Sequence, residues 1–405
     1  MNWGQCAQDR LLEIAKSSVD ETGVTRLPFT PEHAAALGHI RSWMTQAGLQ
    51  VHMDAAGTLI GRKTGPKGSP TFLIGSHQDS VKNGGRYDGI MGIVLGCLAL
   101  EKLMADGVKL PYTIEILAFA DEEGVRFPTA LMGPRALAGT FDPAILAMKD
   151  KDGASLCTAL ADFGCDPEQV ASLSRDPERT LGYLEIHIEQ GPVLETADAA
   201  LGIVTGICGI ERNWVKFDGD TGHAGTVPMG TRRDALVAAS DFISEIHDAA
   251  IKIADLRATV GALTLHPNVV NAIPSRVELT LEIRALDDTV RDTFARLAQS
   301  VGYGISGSRE VGFSMERTYE QPAVPCDIKM IDDLDAAVAE IGQIAPRLPS
   351  GATHDASAMA DLCPTSMLFI RCKDGVSHKP EEFVTSEDMG AGIDAVASFL
   401  RATKV

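Results

Sequence analysis

Histidine and carboxylate side chains follow short apolar segments at several places in this 405-residue sequence. His77 and Asp79 come directly after the run TFLIG, and Asp88 lies in the glycine-rich stretch that follows. Glu122 and Glu123 come after a second apolar run, YTIEILAFA. Imidazole nitrogens and carboxylate oxygens, without thiolates, bind divalent zinc, manganese, cobalt or nickel. The clusters therefore indicate a metal site.

Two further histidines occupy comparable places. The segment LGYLEIHIEQG alternates apolar with polar residues, which predicts a strand with His187 opposite its apolar row. His378 follows the apolar run SMLFIRC. A single histidine in such a position is more often a hydrogen-bonded structural residue, and a glutamate pair is more often a solvated turn. Four clusters at equivalent positions favour a functional site instead.

The segments around these clusters alternate between strand and helix patterns. Residues 71–75 and 112–120 are typical of buried strands, and residues 51–61 also predict a strand. Residues 30–48, with a threonine cap followed by proline, and residues 90–105 predict helices. Strands alternating with helices imply an α/β sheet, in which ligand-binding groups gather beyond the carboxyl ends of the strands.

Residues 207–318 differ from the rest of the chain in their pattern of predicted helices and strands. A long helical pattern over residues 233–253 is followed by the strand-like segments VGALTL and RVELTLEIRAL, which predicts a compact α+β unit. The simplest organisation is a small domain of residues 207–318 inserted into a larger, discontinuous domain of residues 1–206 and 319–405.

Composition excludes several classes of partner. The chain has 55 acidic and 36 basic residues, a formal net charge of −19, which would repel nucleic acid or an anionic lipid surface. No uncharged run reaches the roughly 18 residues of a membrane span. The eight cysteines lack a CxxC pair and are expected to be free thiols, and the N-terminal segment lacks the apolar core of a signal peptide. We expect a cytoplasmic protein.

The order and spacing of these motifs resembles the hydantoinase/carbamoylase-type amidohydrolase branch of the peptidase M20 family. That branch contains allantoate amidohydrolases, ureidoglycolate amidohydrolases and N-carbamoyl-L-amino acid hydrolases. The resemblance covers essentially the whole chain, through GSHQDSVKNGGRYDG, AFADEEGVRF, GYLEIHIEQGPVLE, GHAGTVPM with RRDA, PNVVNAIP, LEIRA, SGATHDA and GVSHKPEE. It implies a mixed-sheet α/β/α dinuclear-metallohydrolase catalytic domain with an inserted α+β, ferredoxin-like lid and dimerisation domain.

The resemblance also implies a ligand set for two divalent metal ions. Asp88 would bridge both ions, with His77 and His187 completing one site and Glu123 and His378 completing the other. Zinc and manganese are the expected metals, and cobalt or nickel would also suit these ligands.

Roles for the residues around the metals follow from the same resemblance. Glu122 would be the general base, and Asp79 would orient the ring of His77. His223 would polarise the scissile carbonyl in the active site of the partner subunit of a homodimer.

Three further residues resemble substrate contacts of this branch. Asn271 and Arg284 would hold a substrate carboxylate, and Gln190 would contact the ureido group. Asn271 could instead cap a turn, and Arg284 could be an ordinary surface residue of a strand.

The implied reaction is hydrolysis of the carbamoyl carbon–nitrogen bond of a small anionic ureido acid or N-carbamoyl-L-amino acid, releasing ammonia and carbon dioxide. Val227 and Thr353 depart from the usual threonine and glycine of their motifs, which bears on substrate identity. The segment from Ile370 to Cys372 favours the allantoate or ureidoglycolate type. Alternatives are a dipeptidase or aminoacylase of the wider family, and a catalytically inactive metal-binding scaffold.

Overall fold

The predicted polar clusters lie on a mixed β-sheet. The computed structural model describes all residues, 1–405. Its strands are β1 (Gln50–Met53), β2 (Leu59–Lys63), β3 (Thr71–His77), β4 (Thr113–Phe119), β5 (Thr180–Ile188), β6 (Leu201–Ile207), β7 (Gly209–Asp218), β8 (Arg257–Thr259), β9 (Leu263–His266), β10 (Arg276–Ala285), β11 (Gly312–Gln321), β12 (Val324–Pro325), β13 (Arg347–Ser350) and β14 (Thr365–Ile370).

Eleven α-helices connect these strands. They are α1 (Trp3–Ile14), α2 (Pro31–Gln46), α3 (Ile90–Ala105), α4 (Met132–Ala138), α5 (Leu156–Asp162), α6 (Val193–Thr196), α7 (Ala235–Ala250), α8 (Asp288–Arg309), α9 (Ile328–Glu340), α10 (Asp355–Met359) and α11 (Ser386–Ala402). None of the helices is long and apolar enough to span a lipid bilayer.

The chain folds as two compact units. The larger unit comprises Met1–Thr205 and Cys326–Val405, and the smaller unit comprises Gly206–Pro325. The segment predicted to be inserted, residues 207–318, lies within the smaller unit.

The sheet of the larger unit runs in the order β1-β2-β4-β3-β5-β14-β6, and β13 also pairs with β6. Its four central strands, β4, β3, β5 and β14, are mutually parallel, while β1, β2 and β6 pair antiparallel. This arrangement confirms the mixed α/β class predicted from the sequence.

Helix α3 is apolar on nearly every side because it packs on β3 and β5 and also contacts α1 and α11. A side chain at Gly92 would place its Cβ 2.1 Å from the carbonyl oxygen of Ile186, so only glycine allows this helix to approach β5.

One local prediction needed correction. The single strand predicted over residues 51–61 is a hairpin of β1 and β2, because the Asp54 carboxylate accepts the N–H groups of Ala56 and Thr58 and turns the chain. On β5, Glu185 and His187 are both buried, as expected for a central parallel strand covered on both faces.

The smaller unit contains an antiparallel sheet in the order β11-β7-β10-β8, with β9 also paired to β10. Apolar residues alternate along β10, and Val277, Leu279, Leu281 and Ile283 are fully buried. They form one core with residues of α7 and α8, including Phe242 and Phe294. This unit therefore has its own hydrophobic core.

Candidate metal centre

The strand order of the larger unit explains why the predicted clusters meet. His77 is the last residue of β3, and the carboxylates of residues 121–123 follow the end of β4. His187 lies one residue before the end of β5, where it is in register with Phe369 of the parallel strand β14. Because these strands are adjacent and parallel, their carboxyl ends lie along one edge of the sheet.

Asp88 stands at the centre of the cluster. Its Oδ1 lies 3.5 Å from His77 Nε2 and 3.1 Å from His187 Nε2. Its other oxygen, Oδ2, lies 3.3 Å from His378 Nε2. The two oxygens of one carboxylate therefore face different histidines, which is the arrangement that a bridging ligand requires.

The second side of the cluster is completed by Glu123, whose Oε1 lies 3.8 Å from His378 Nε2. His77, Asp88 and His187 offer ligand atoms that all lie within 4.8 Å of one another, and so do Asp88, Glu123 and His378. The structure thus brings together all five side chains predicted as ligands.

These residues suit a divalent cation. Glu123 Oε1 and His187 Nε2 are buried and lack a hydrogen-bond partner, an arrangement that is costly unless an ion or water completes it. The donor set combines three imidazoles and two carboxylates, and three of the five side chains are almost inaccessible to solvent. The site is therefore built for a cation.

A third combination, formed by Glu185, His187 and His354, is better explained structurally. His354 Nε2 lies 2.7 Å from Ser350 Oγ, and its ring meets that of His187 edge-on at 4.5 Å. Burial lowers the pKa of His354 well below its usual value, with a further contribution from His187. His354 is thus a neutral packing residue.

Asp79, predicted to orient the ring of His77, lies next to that ring. Its side chain is fully buried. Its backbone carbonyl lies 3.1 Å from His77 Nδ1, the ring nitrogen that points away from Asp88, and its Oδ1 lies 3.4 Å from the same nitrogen. A carboxylate in this position fixes the orientation of an imidazole and leaves its other nitrogen available.

Glu122 lies beside the cluster. Its Oε2 is 4.0 Å from His77 Nε2, and its side chain is 10% exposed. Burial raises the pKa of Glu122 well above its usual value against the opposing effect of His77, and the neighbouring carboxylates of Glu123, Asp355 and Asp79 raise it further. A carboxyl group of this kind can both accept and release a proton.

The charges of the cluster are mutually dependent. Burial disfavours the charged form of Asp88, but the nearby histidines outweigh it and hold the pKa of Asp88 well below its usual value. The contact with Asp88 raises the pKa of His378 to about 9. Burial, with a contribution from Asp88, raises the pKa of Glu123 to about 7.

Gln190 lies against Asp88 in the larger unit. Its Nε2 donates to Asp88 Oδ2 at 2.8 Å and to Ser377 Oγ at 3.1 Å. In this structure the amide therefore supports Asp88, whereas the sequence suggested a contact with substrate.

Sequence reasoning missed two residues of this site. Ser377 donates its hydroxyl to Asp88 Oδ2 at 2.9 Å, and Glu382 accepts the backbone N–H of Asp88 at 3.0 Å. Both belong to the motif GVSHKPEE, which drew attention only through its histidine. Their polar character beside His378 was the one available signal.

The remaining predicted residues lie in the smaller unit. His223 and Asn271 are both exposed. They lie close together, since the N–H of Ala224 donates to the carbonyl of Asn271 at 2.9 Å. The N–H of Gly225 donates to His223 Nδ1 at 3.0 Å and orients the ring. Arg284 lies on β10, where it forms an ion pair with Glu282 at 2.8 Å.

Comparison with known proteins gives a consistent result. Residues 73–402 match the profile of peptidase family M20/M25/M40. The chain is 41% identical over 397 residues to the N-carbamoyl-L-amino acid amidohydrolase of Geobacillus stearothermophilus, with 97% of each chain covered. It is 37% identical over 425 residues to the allantoate deiminase of Arabidopsis thaliana, covering 97% of this chain and 81% of the relative.

A solved structure of the same kind of enzyme is similar to this chain. A hydantoinase/carbamoylase family amidase from Burkholderia multivorans superposes with a TM-score of 0.92 at 31% identity, covering 99% of this chain and 98% of that one. The similarity therefore extends over both units of the chain.

Proposed function

The chain belongs to peptidase family M20/M25/M40, among the hydantoinase/carbamoylase-type amidohydrolases, and we propose that it hydrolyses the carbamoyl carbon–nitrogen bond of a small carboxylic acid. The resemblance recognised in the sequence is confirmed, and the chain is a hydrolase of carbon–nitrogen bonds. The substrate class that we propose is an N-carbamoyl-L-amino acid or a ureido acid of the allantoate or ureidoglycolate type. One water is consumed, and an amine, ammonia and carbon dioxide are released.

The proposal rests on the position of Asp88, whose two carboxylate oxygens face two different sets of side chains. We propose that His77 and His187 hold one divalent ion and Glu123 and His378 a second, with Asp88 shared. Zinc or manganese would fit, and cobalt or nickel could substitute. When bound, such ions supply Lewis acidity: they lower the pKa of water and stabilise negative charge on a carbonyl oxygen.

Glu122 would move the proton. Its carboxylate lies beside His77 without being one of the five ligands, so it is available to take a proton from water. From the same position it would deliver that proton to the leaving nitrogen. Since a purely structural metal site has no use for such a group, Glu122 argues against an inactive scaffold.

Residues of the smaller unit would recognise the substrate. We propose that the guanidinium of Arg284 binds the substrate carboxylate in a two-pronged contact and that the amide of Asn271 assists it. His223, whose ring is held by the N–H of Gly225, would donate a hydrogen bond to the scissile carbonyl oxygen. Gln190 would contact the ureido group from its place beside Asp88.

The quaternary and cellular context is also a proposal. We propose a homodimer in which His223 acts in the active site of the partner subunit, with the smaller unit serving as a ferredoxin-like lid and dimerisation domain. The eight cysteines are all free, which suits a reducing cytoplasm. Sedimentation velocity would measure the oligomeric state. Mixing H223A with E122Q protein should restore part of the activity if the sites are shared.

A substrate panel tests the proposed activity. Metal-loaded protein would be assayed for ammonia release from allantoate, ureidoglycolate and several N-carbamoyl-L-amino acids, with N-acetyl amino acids and dipeptides as comparison substrates. We expect turnover of at least one carbamoyl or ureido acid, abolished by a chelator and restored by added metal. Turnover confined to dipeptides or N-acetyl amino acids would reject the proposed substrate class in favour of a peptidase or aminoacylase.

A further inference from the structure

Glu382 is a buried carboxylate that contacts the loop carrying Asp88. It is 3% exposed, and its Oε1 accepts the backbone N–H groups of Tyr87 at 2.8 Å and Asp88 at 3.0 Å. These contacts join segments almost 300 residues apart in the sequence. One oxygen that accepts two successive backbone N–H groups fixes the local backbone at both residues.

Ser377 extends the same contact to the side chain of Asp88. Its Oγ lies 2.9 Å from Asp88 Oδ2 and 3.2 Å from Glu382 Oε2. Main chain and side chain of Asp88 are thus both held by residues 377–382, the segment that also contains His378. One short segment therefore sets the positions of two of the five clustered side chains.

The loop opposite is shaped to admit the Glu382 carboxylate. A Cβ atom at Gly85 would lie 2.1 Å from Glu382 Cδ and Oε1, so no other residue fits at that position without displacing the carboxylate. The glycine-rich stretch before Asp88 is explained in part by this requirement. The absence of a side chain at Gly85 therefore leaves the space that the Glu382 carboxylate occupies.

We propose that Glu382 is a positioning residue for Asp88. By fixing the backbone at Tyr87 and Asp88, it would hold the Asp88 carboxylate so that Oδ1 faces His77 and His187 while Oδ2 faces His378. This inference rests on the proposed function only in taking Asp88 as a shared metal ligand. Partners of metal ligands typically change metal affinity about 10- to 100-fold when they are removed.

Metal affinity of the full-length protein is the direct test. Zn²⁺ binding to E382A, E382Q and wild type would be measured by competition with a chromophoric chelator, and Co²⁺ spectra would report the geometry of the ligands. E382A should bind metal about 10- to 100-fold more weakly and show an altered Co²⁺ spectrum. E382Q keeps an oxygen that can accept both N–H groups and should remain closer to wild type.

Glu381 offers the matched control, because it is the exposed neighbour of Glu382 and E381Q makes the same charge change. E381Q should bind metal like wild type. Wild-type affinity in E382A, or equal losses in E382Q and E382A, would overturn the positioning role. If E382A fails to fold, the Co²⁺ spectra of E382Q and S377A still test the positioning role. A wild-type spectrum in E382Q together with an altered spectrum in S377A supports that role. Any other combination of the two spectra rejects it.

The experiments distinguish failure of the Glu382 proposal from failure of the proposed reaction. Turnover of the substrate panel by wild type, together with unchanged metal affinity in E382A, would reject only the role of Glu382. Absence of turnover in wild type, with weakened metal binding in E382A, would reject only the proposed reaction.

Discussion

The carboxylate of Asp79 accepts the backbone N–H of Glu122 at 3.1 Å through Oδ1, and its Oδ2 accepts the N–H of Glu123 at 3.2 Å. The same side chain lies against His77. One buried carboxylate therefore links the end of β3 to the loop after β4, which carries the proposed base and a proposed ligand. Asp79 thus contacts both the ring of His77 and the backbone of that loop.

Removal of Asp79 should weaken metal binding. D79A leaves the backbone N–H groups of Glu122 and Glu123 without their acceptor and removes the carboxylate next to His77, while the backbone carbonyl of residue 79 still contacts the His77 ring, so we expect metal affinity to fall about 10- to 100-fold. D79N keeps one acceptor oxygen and should lie between D79A and wild type. Chelator competition would measure this, with the exposed residue Asp106 providing the control D106N. Wild-type affinity in D79A would show that the loop holds its shape without Asp79.

Substitutions at Glu122 and Glu123 should separate catalysis from metal binding. E122Q removes the proton acceptor but none of the five clustered ligands, so metal content should stay and kcat should fall about 10²- to 10⁴-fold. E123Q replaces a ligand and should lower metal content. Elemental analysis and steady-state assays on both proteins would be compared. Wild-type kcat in E122Q would remove Glu122 from the mechanism.

The clustering of the proposed ligands was predictable because it depends on local sequence. Each apolar run that ends abruptly in polar residues predicts a buried strand ending at the sheet edge, and parallel pairing then brings those ends together. His77 and His187 follow this rule directly. Resemblance to a known family added the special importance of Asp88, which lies in a loop that no periodic pattern would locate.

What escaped prediction depends on contacts between distant segments. Glu382 approaches Asp88 only because the sheet and α11 place the C-terminal loop there, and its own sequence context, a lysine and proline before two acidic residues, reads as solvated surface. The break between β1 and β2 was missed for a different reason. Alanines at 55 and 56 continue an apolar pattern, whereas the Asp54 side chain turns the backbone.

Arg26 is expected to contribute strongly to stability. It is 1% exposed, and its guanidinium donates to the carbonyls of Gln78, Ile14 and Ser17. Burial lowers its pKa to about 10, against the opposing attraction of Asp79, so it stays charged at neutral pH. R26M leaves three buried carbonyls without this donor and should cost about 2–4 kcal/mol of unfolding free energy.

Urea unfolding of metal-free protein would measure that loss. The control is R41M, because Arg41 is an exposed residue of α2 that donates only to the carbonyl of Val51. R41M should change the unfolding free energy by less than about 0.5 kcal/mol. A loss in R26M no larger than that in R41M would contradict the assigned role.

His33 should make the stability of the protein sensitive to acid. Its ring is fully buried, stacks on Phe163 at 4.6 Å and accepts the N–H of Phe29 through Nδ1 at 2.9 Å. Burial lowers the pKa of His33 to about 3, and the charge of Arg26 acts in the same direction. The imidazole is therefore neutral in the folded protein at pH values where an exposed histidine would be charged.

The direction of the pH effect follows from proton binding. The unfolded chain protonates this histidine near pH 6.5, whereas the folded chain does so only near pH 3, so the unfolded state binds more protons between these values. The contribution of neutral His33 to stability is complete above pH 6.5 and is lost as the pH falls toward 3. Between pH 6.5 and 4.5 the loss should be about 2 kcal/mol.

The variant H33Q isolates this contribution, because glutamine can accept the Phe29 N–H but does not titrate. Unfolding free energies of metal-free wild type and H33Q would be measured in urea at pH 7, 6, 5 and 4.5. H33Q should be less stable at pH 7, because it loses the ring stacking, but its stability should fall less steeply with acid. All other titrating groups are common to both proteins, so parallel pH curves would mean that folding does not lower the pKa of His33.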